Sequence, residues 1–127
     1  MRIVIADNSI ELCSRMTDYF DLVDGIIVAG QTHDVHETID SIRHLKPEAV
    51  LLDFRMPGGS ALDVLAAVKR MDSPPIMMVM TNYPATFFRD SCLSAGADYF
   101  FDKSTDFKKM IQTLTAIRLC EEHAVPN

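Results

Sequence analysis

Cysteine is scarce in this chain of 127 residues, and its few positions share no chemistry. Cys13, Cys92 and Cys120 are odd in number and far apart, with no C-x-x-C pair and no cysteine–histidine spacing of a zinc site. They read as reduced, core or half-buried thiols. Long apolar runs are also missing. Nothing approaches the roughly 20 residues of a membrane span, and the four apolar residues after Met1-Arg2 are too short for a secretory signal. These absences point to a soluble cytoplasmic protein without a membrane partner. Basic charge is in the minority, with 12 Lys and Arg against 18 Asp and Glu, a formal net charge of −6 and a pI near 5.0. A domain that binds nucleic acid needs a basic footprint, so no direct nucleic-acid partner is expected. No linker, repeat or low-complexity tract breaks the chain. A metal site at His33 and His36 would need further ligands, and the pair reads as a solvated face at a helix start. The methionines that cluster near 77–80 suit a buried strand better than a copper site.

What is present is an alternation of short apolar runs with longer amphipathic segments, five times over, which predicts a parallel sheet with crossover helices. The first strand covers about 2–6, and a helix from about 9 to 22 follows. Asn8 with Glu11 resembles a capping box for it, and Leu12, Met16, Tyr19, Phe20 and Val23 fall near one face. Asp24-Gly25 turns into a second strand, Ile26–Ala29. Asp34 with Glu37 starts the second helix, Ile39, Ile42 and Leu45 mark its buried stripe, and Lys46-Pro47 stops it. The third strand lies at about 48–53. Ser60 caps a third helix whose Leu62, Leu65, Val68 and Met71 face inward. After Ser73-Pro74-Pro75 comes strand four, Ile76–Met80. Pro84 suits the first turn of helix four, and Gly96 its end. Phe87 and Phe88 are adjacent, so they cannot both face the core; one is expected on the surface. Strand five is about 98–101. The last helix begins near Ser104 to Asp106 and buries Phe107, Met110, Ile111, Leu114 and Ile117. One domain over 1–122 is expected, with a frayed end from Glu121 and a tail over 123–127.

The polar residues that close the strands carry the chemistry. Asp53 ends the run Ala49-Val50-Leu51-Leu52 and opens Asp53-Phe54-Arg55-Met56-Pro57-Gly58-Gly59. The other strand-like runs lead into Asp7-Asn8-Ser9, Thr81-Asn82 and Asp102-Lys103-Ser104. In a doubly wound α/β sheet, ligands bind where strand order reverses, at the carboxyl ends, and either common order places strands one and three side by side there. Acids, a hydroxyl and an ammonium on one edge suit a divalent cation and a phosphoryl group.

With those residues in place, the chain resembles a response-regulator receiver domain of two-component signalling, of the stand-alone single-domain type. The likeness runs from Arg2 to about Cys120. It rests on Leu51-Leu52-Asp53-Phe54-Arg55-Met56-Pro57, on Ala95 to Ser104 around Lys103, and on Thr81. The resemblance implies a flavodoxin-like fold of five parallel strands in the order 2-1-3-4-5 with five helices. It implies that Asp53 accepts a phosphoryl group from a histidine kinase or histidine phosphotransfer protein, that Lys103 pairs with the phosphoryl oxygens, and that Thr81 offers its hydroxyl to them. Mg²⁺ would lie on Asp7, Asn8, Asp53 and the backbone carbonyl of Arg55. Phe100 falls at the family's aromatic switch position. A downstream protein partner would dock on helix four, strand five and helix five, and no catalysis beyond self-catalysed phosphotransfer and autodephosphorylation is implied.

Several positions depart from the family. Asn8 stands where a second acid is usual, so weaker Mg²⁺ binding is expected. Ser104 stands in place of a proline often preceded by a cis bond, which here would cost about 3 kcal/mol over trans. Ala61 replaces a frequent glycine, and Asn82 a small residue; with Arg55 and Tyr83, Asn82 should border the phosphoryl group. The alternative is a degenerate receiver, a binding module that needs no phosphate, with Asn8 as its support. Haloacid-dehalogenase-like chemistry would need an acid two residues after Asp53, where Arg55 stands. A flavodoxin would need a hydroxyl-rich phosphate loop in place of Asp7-Asn8-Ser9.

Overall fold

A computed structural model of the chain describes residues 1–82 and 86–123, with side chains except at 86, 87 and 121–123. The elements in chain order are β1 (Arg2–Ala6), α1 (Ile10–Asp21), β2 (Ile27–Thr32), α2 (Val35–Leu45), β3 (Ala49–Asp53), β4 (Arg55–Met56), β5 (Gly59–Ser60), α3 (Ala61–Val68), β6 (Ile76–Thr81), α4 (Thr86–Ser94), β7 (Tyr99–Asp102) and α5 (Phe107–His123). Five strands form one parallel sheet in the order β2-β1-β3-β6-β7, which is the expected doubly wound order of sheet strands. The short β4 and β5 pair antiparallel within the loop after β3.

The central strands are buried on both faces, which is why they read as continuous apolar runs rather than alternating ones. Alternate residues divide between two cores. Val4, Ala6, Val50, Leu52, Met77, Val79 and Phe100 pack against α2, α3 and α4. Ile3, Ile5, Leu51, Met78, Met80 and Phe101 pack against Cys13, Met16 and Phe20 of α1 and Met110, Ile111 and Leu114 of α5.

Most helix signals act as read from the sequence. Asp34 caps α2 by accepting from the Glu37 amide at 2.7 Å, and Lys46 ends it in the left-handed region at φ 48°. Ser60 and Asp63 form a capping box on α3. Gly96, at φ 112°, follows α4, while Ala97 N–H returns to the Cys92 carbonyl. Pro84 and Tyr83 lie outside the described residues, as does the Phe87 side chain.

Some expectations are corrected. The cap of α1 is Ser9, not Asn8: the Ser9 hydroxyl accepts from the Leu12 amide, and Asn8 is exposed in the preceding turn. Strand β2 begins at Ile27 and runs on to Thr32, three residues past the expected end, because its pairing with β1 continues through a register shift after Ile3. Cys13 rather than Tyr19 completes the buried stripe of α1; Tyr19 stands edge-on to Phe107 at the surface. Phe107 is thus half-exposed and not in the core. Helix α5 continues to His123 rather than ending near Glu121, and residues 124–127 lie outside the described part.

Candidate phosphoacceptor site

The strand ends converge as their sequence positions require. Asp53 is the last residue of β3, and its neighbour Phe54 donates to the Met80 carbonyl of β6 at 2.9 Å. Asp7 follows β1, with its amide on the Thr32 carbonyl of β2 at 3.0 Å. Thr81 ends β6 opposite Asp102 of β7, and the next amide, Lys103 N–H, donates to the Thr81 carbonyl at 2.8 Å. Since β1 and β3 are adjacent at the point where strand order reverses, Asp7 and Asp53 share one edge.

Lys103 reaches into this edge. Its ammonium hydrogen-bonds Asp7 Oδ2 and lies 3.4 Å from Asp53 Oδ2. Asp7 is fully buried, Asp53 and Thr81 nearly so. Burial pushes the Asp53 carboxyl above the usual aspartate range, and the charge of Asp7 adds to this; Lys103 and a backbone hydrogen bond from Arg55 pull the other way. The other Asp7 oxygen accepts from the Ser9 amide at 2.9 Å.

The turn that carries Lys103 is built without the proline that the resemblance led one to expect. Asp102 Oδ1 accepts from the Ser104 amide at 2.7 Å, and Asp106 Oδ2 accepts from the Asp102 amide at 3.0 Å. Hydrogen bonds to the Asp102 carboxylate hold it below its ordinary range, the Ser104 amide first among them. The Lys103–Ser104 bond is trans, as are all peptide bonds among the described residues. Gly58 and Gly59 take positive φ in the loop after Asp53, and the Pro57 carbonyl there accepts from the Val35 amide at 3.0 Å, docking the loop on α2.

The donors available for a metal are two carboxylates, the Asn8 amide oxygen and the Arg55 carbonyl, all hard oxygens of the kind Mg²⁺ prefers. They fit the ion chemically, with fewer acids than usual: no group of three His, Cys, Asp or Glu side chains gathers for a metal among the described residues. Arg55 and Asn82 are exposed beside the site, and Phe100 is buried against the α4 side of the sheet. Phe54 packs on Phe88 with ring centroids 4.4 Å apart, so Phe88 is the inward member of the Phe87-Phe88 pair that the described side chains include.

His33, read with His36 as part of a solvated face, is placed differently by the structure. It is half-buried just past β2, and its Nδ1 lies 2.9 Å from the Asp7 carbonyl oxygen. Its place beside β1 in the strand order was the available signal. His36 does sit on a solvated face, 3.3 Å from Asp40.

Comparison with known proteins agrees with the geometry. Residues 3–115 match the response regulator receiver domain. The response regulator GacA of Pseudomonas viridiflava is 25% identical over 126 residues, covering 99% of this chain and 59% of GacA. The putative transcription regulator BvgA of Bordetella pertussis is 28% identical over 94 residues, 74% of this chain and 45% of that protein. The chain thus spans roughly half the length of these curated relatives, 59% of GacA and 45% of BvgA. Among solved structures, the signal receiver domain of the putative response regulator NarL from Mycobacterium tuberculosis superposes with a TM-score of 0.84 at 22% identity, over 92% of this chain and 94% of that one. The response regulator domain of Thermotoga maritima CheB gives 0.80 at 20% identity, over 99% and 98%. Receiver domains bind Mg²⁺ at their acidic site and interact with histidine kinases or phosphotransfer proteins. No helix among the described residues is long and apolar enough to cross a membrane. By the match over most of its length, this chain belongs to the response regulator receiver domain family.

Proposed function

We propose that Asp53 accepts a phosphoryl group from the phosphohistidine of a kinase or phosphotransfer protein, and that the modified chain acts through contact with another protein. The observation that carries this is the meeting of Asp53, Asp7, Thr81 and Lys103 at one sheet edge, with the ammonium 3.4 Å from the Asp53 carboxylate. An Asp53 oxygen attacks phosphorus, the P–N bond breaks, and its electron pair stays with the donor's imidazole. A carboxylate is a modest nucleophile, so placement and charge neutralisation do most of the catalytic work. Lys103 supplies a mobile positive charge to the phosphoryl oxygens, and Thr81 a hydroxyl at the end of the adjacent strand. Asp7, Asn8, Asp53 and the Arg55 carbonyl would hold Mg²⁺, which supplies further positive charge at those oxygens when bound. With Asn8 neutral and Lys103 already on Asp7, that binding is weak.

Phe100 is the proposed internal reporter. Its ring is buried beside α4, and a shift of Thr81 toward a phosphoryl group would change the space around it. The face formed by α4, β7 and α5 is the proposed docking surface for the downstream partner. The second reading, a phosphate-independent binding module, draws on Asn8 and on the Lys103–Asp7 bond: the edge is one acid short and one of its two carboxylates is already paired.

Intact mass after incubation with acetyl phosphate and Mg²⁺ tests the two readings. A phosphate-sized gain in the wild type and none in Asp53→Asn is the expected result. Folded protein that gains nothing at saturating Mg²⁺ would overturn the phosphoacceptor reading in favour of the binding module.

A further inference from the structure

Asp7 is tied on every side. Its amide donates to the Thr32 carbonyl at 3.0 Å, its two carboxylate oxygens take the Ser9 amide and the Lys103 ammonium, and its own carbonyl faces two side chains. His33 Nδ1 is 2.9 Å from that carbonyl oxygen and Cys13 Sγ 3.7 Å from it, with 4.0 Å between sulfur and nitrogen. A carbonyl oxygen only accepts, so Nδ1 carries the proton and donates. Cys13 is fully buried, and its thiol is a weak donor that stands farther from the same oxygen. The imidazole is therefore the strong partner of this carbonyl.

The anchor on the β2 side is itself fixed. Thr32 Oγ1 and Thr38 Oγ1 are 2.7 Å apart in the core, and Thr38 donates on to the Asp34 carbonyl at the start of α2. Thr32 and His33 thus grip both backbone polar groups of Asp7 from one rigid corner. We propose that His33 is a positioning residue of the acidic site: its Nδ1–H holds the Asp7–Asn8 turn so that the Asp7 carboxylate and the Asn8 amide face the cation position. In a pocket one carboxylate short, close placement of the remaining donors matters more, because charge does not compensate for loose geometry. The effect on phosphorylation rests on the phosphoacceptor reading; the effect on metal binding does not.

Two substitutions separate this role from simple packing. His33→Phe keeps the ring and removes the donor; His33→Asn removes the ring and keeps an N–H at the equivalent side-chain position. Mg²⁺ affinity of the unphosphorylated protein is read by titrating the Asp7, Asn8 and Ser9 amide signals in NMR spectra. Loss of an outer partner of this kind typically weakens metal binding about 10-fold or more, so that drop is expected in His33→Phe, with His33→Asn near the wild type. Hydrogen exchange at the Ser9 amide, measured without metal, should speed up in His33→Phe alone. The reverse order, with Phe near wild type and Asn impaired, would show a packing role and overturn the proposal. So would equal affinities in all three proteins, or a wild type that binds no Mg²⁺. If the wild type binds Mg²⁺ with the expected order of variants and yet takes no phosphate, the positioning role stands and the phosphoacceptor reading fails.

Discussion

Lys103 bridges Asp7 and Asp53, hydrogen-bonding the first and lying 3.4 Å from the second, with all three side chains almost wholly buried. One ammonium thus compensates two acids that share a dry edge. Removing one partner from a buried ionic group strands the others, at a typical cost of about 3–5 kcal/mol. Lys103→Met should lower the melting temperature by many degrees in metal-free buffer. Adding Mg²⁺ should recover more of that loss than it adds to the wild type, because the ammonium no longer competes for Asp7. Phosphate uptake should nonetheless be slower, since in the proposed mechanism Lys103 also neutralises the phosphoryl oxygens. Thermal melts with and without Mg²⁺, beside mass-monitored phosphorylation, check all three parts. Equal Mg²⁺ stabilisation in both proteins would count against competition at Asp7.

Asp53 links function to stability with a defined sign. Its pKa is raised in the folded protein, chiefly by burial and next by Asp7, so the folded state binds this proton more tightly than the unfolded chain does. Between the ordinary aspartate value and the raised folded value, stability falls as pH rises, and above the folded value the full penalty is present. Asp53→Asn removes that penalty. The variant should melt a few degrees higher than wild type at neutral pH, with the gain shrinking as pH falls through the raised value, and it should take no phosphate. Wild-type phosphorylation should lose rate over the same acidic window, because the protonated carboxyl is no nucleophile. Melting curves of both proteins from acidic to neutral pH decide the matter; an Asp53→Asn protein no more stable than wild type at neutral pH would contradict the assignment.

How much of this was open to sequence reading follows from how each residue is specified. Asp53 and Thr81 each close an apolar run that is buried on both faces and so has a clear end, and Lys103 follows the run that Asp102 closes, so the edge on which they meet was legible. The sheet order needed the family resemblance, because periodicity alone does not order parallel strands. The contact of His33 with Asp7 was not legible, because β2 was read as ending at Ala29, four residues short of it. Edge strand β2 has an intermediate burial pattern and a register shift, so its apolar signal fades before Thr32. The exchange of Asn8 for Ser9 as the α1 cap has another origin: both residue types cap well, and only the backbone of the Asp7 turn decides between them.

Asn8 is exposed beside a buried pair of acids, so an added carboxylate there has room and solvent. Asn8→Asp should tighten Mg²⁺ binding on the order of 10-fold, equivalent to about 1.4 kcal/mol, and bring saturation of phosphorylation to lower metal concentration. At saturating Mg²⁺ its phosphorylation rate should approach the wild type's. Titration calorimetry of both proteins reads the affinity. No gain would mean that Lys103 rather than missing charge limits the metal.

Asp102 and Ser104 give the last prediction. In place of a proline, a carboxylate hydrogen-bonded to the Ser104 amide shapes the turn that aims Lys103, and Asp106 closes it from the Asp102 amide. The Asp102 pKa is lowered, first by the Ser104 amide, so its contribution is present above the ordinary aspartate value and is lost as pH falls through the depressed folded one. Asp102→Ala should melt below wild type at neutral pH, and the gap should close in strong acid. Because the turn also carries the Lys103 amide that donates to Thr81, the variant should phosphorylate more slowly while keeping its Mg²⁺ affinity. Ser104→Pro removes the donor but leaves the carboxylate; it should reproduce the loss of stability without placing a new charge near the site. Phosphorylation rates and melts of both variants test the turn as a unit: wild-type rates in both would mean that Lys103 is held by its carboxylate partners alone.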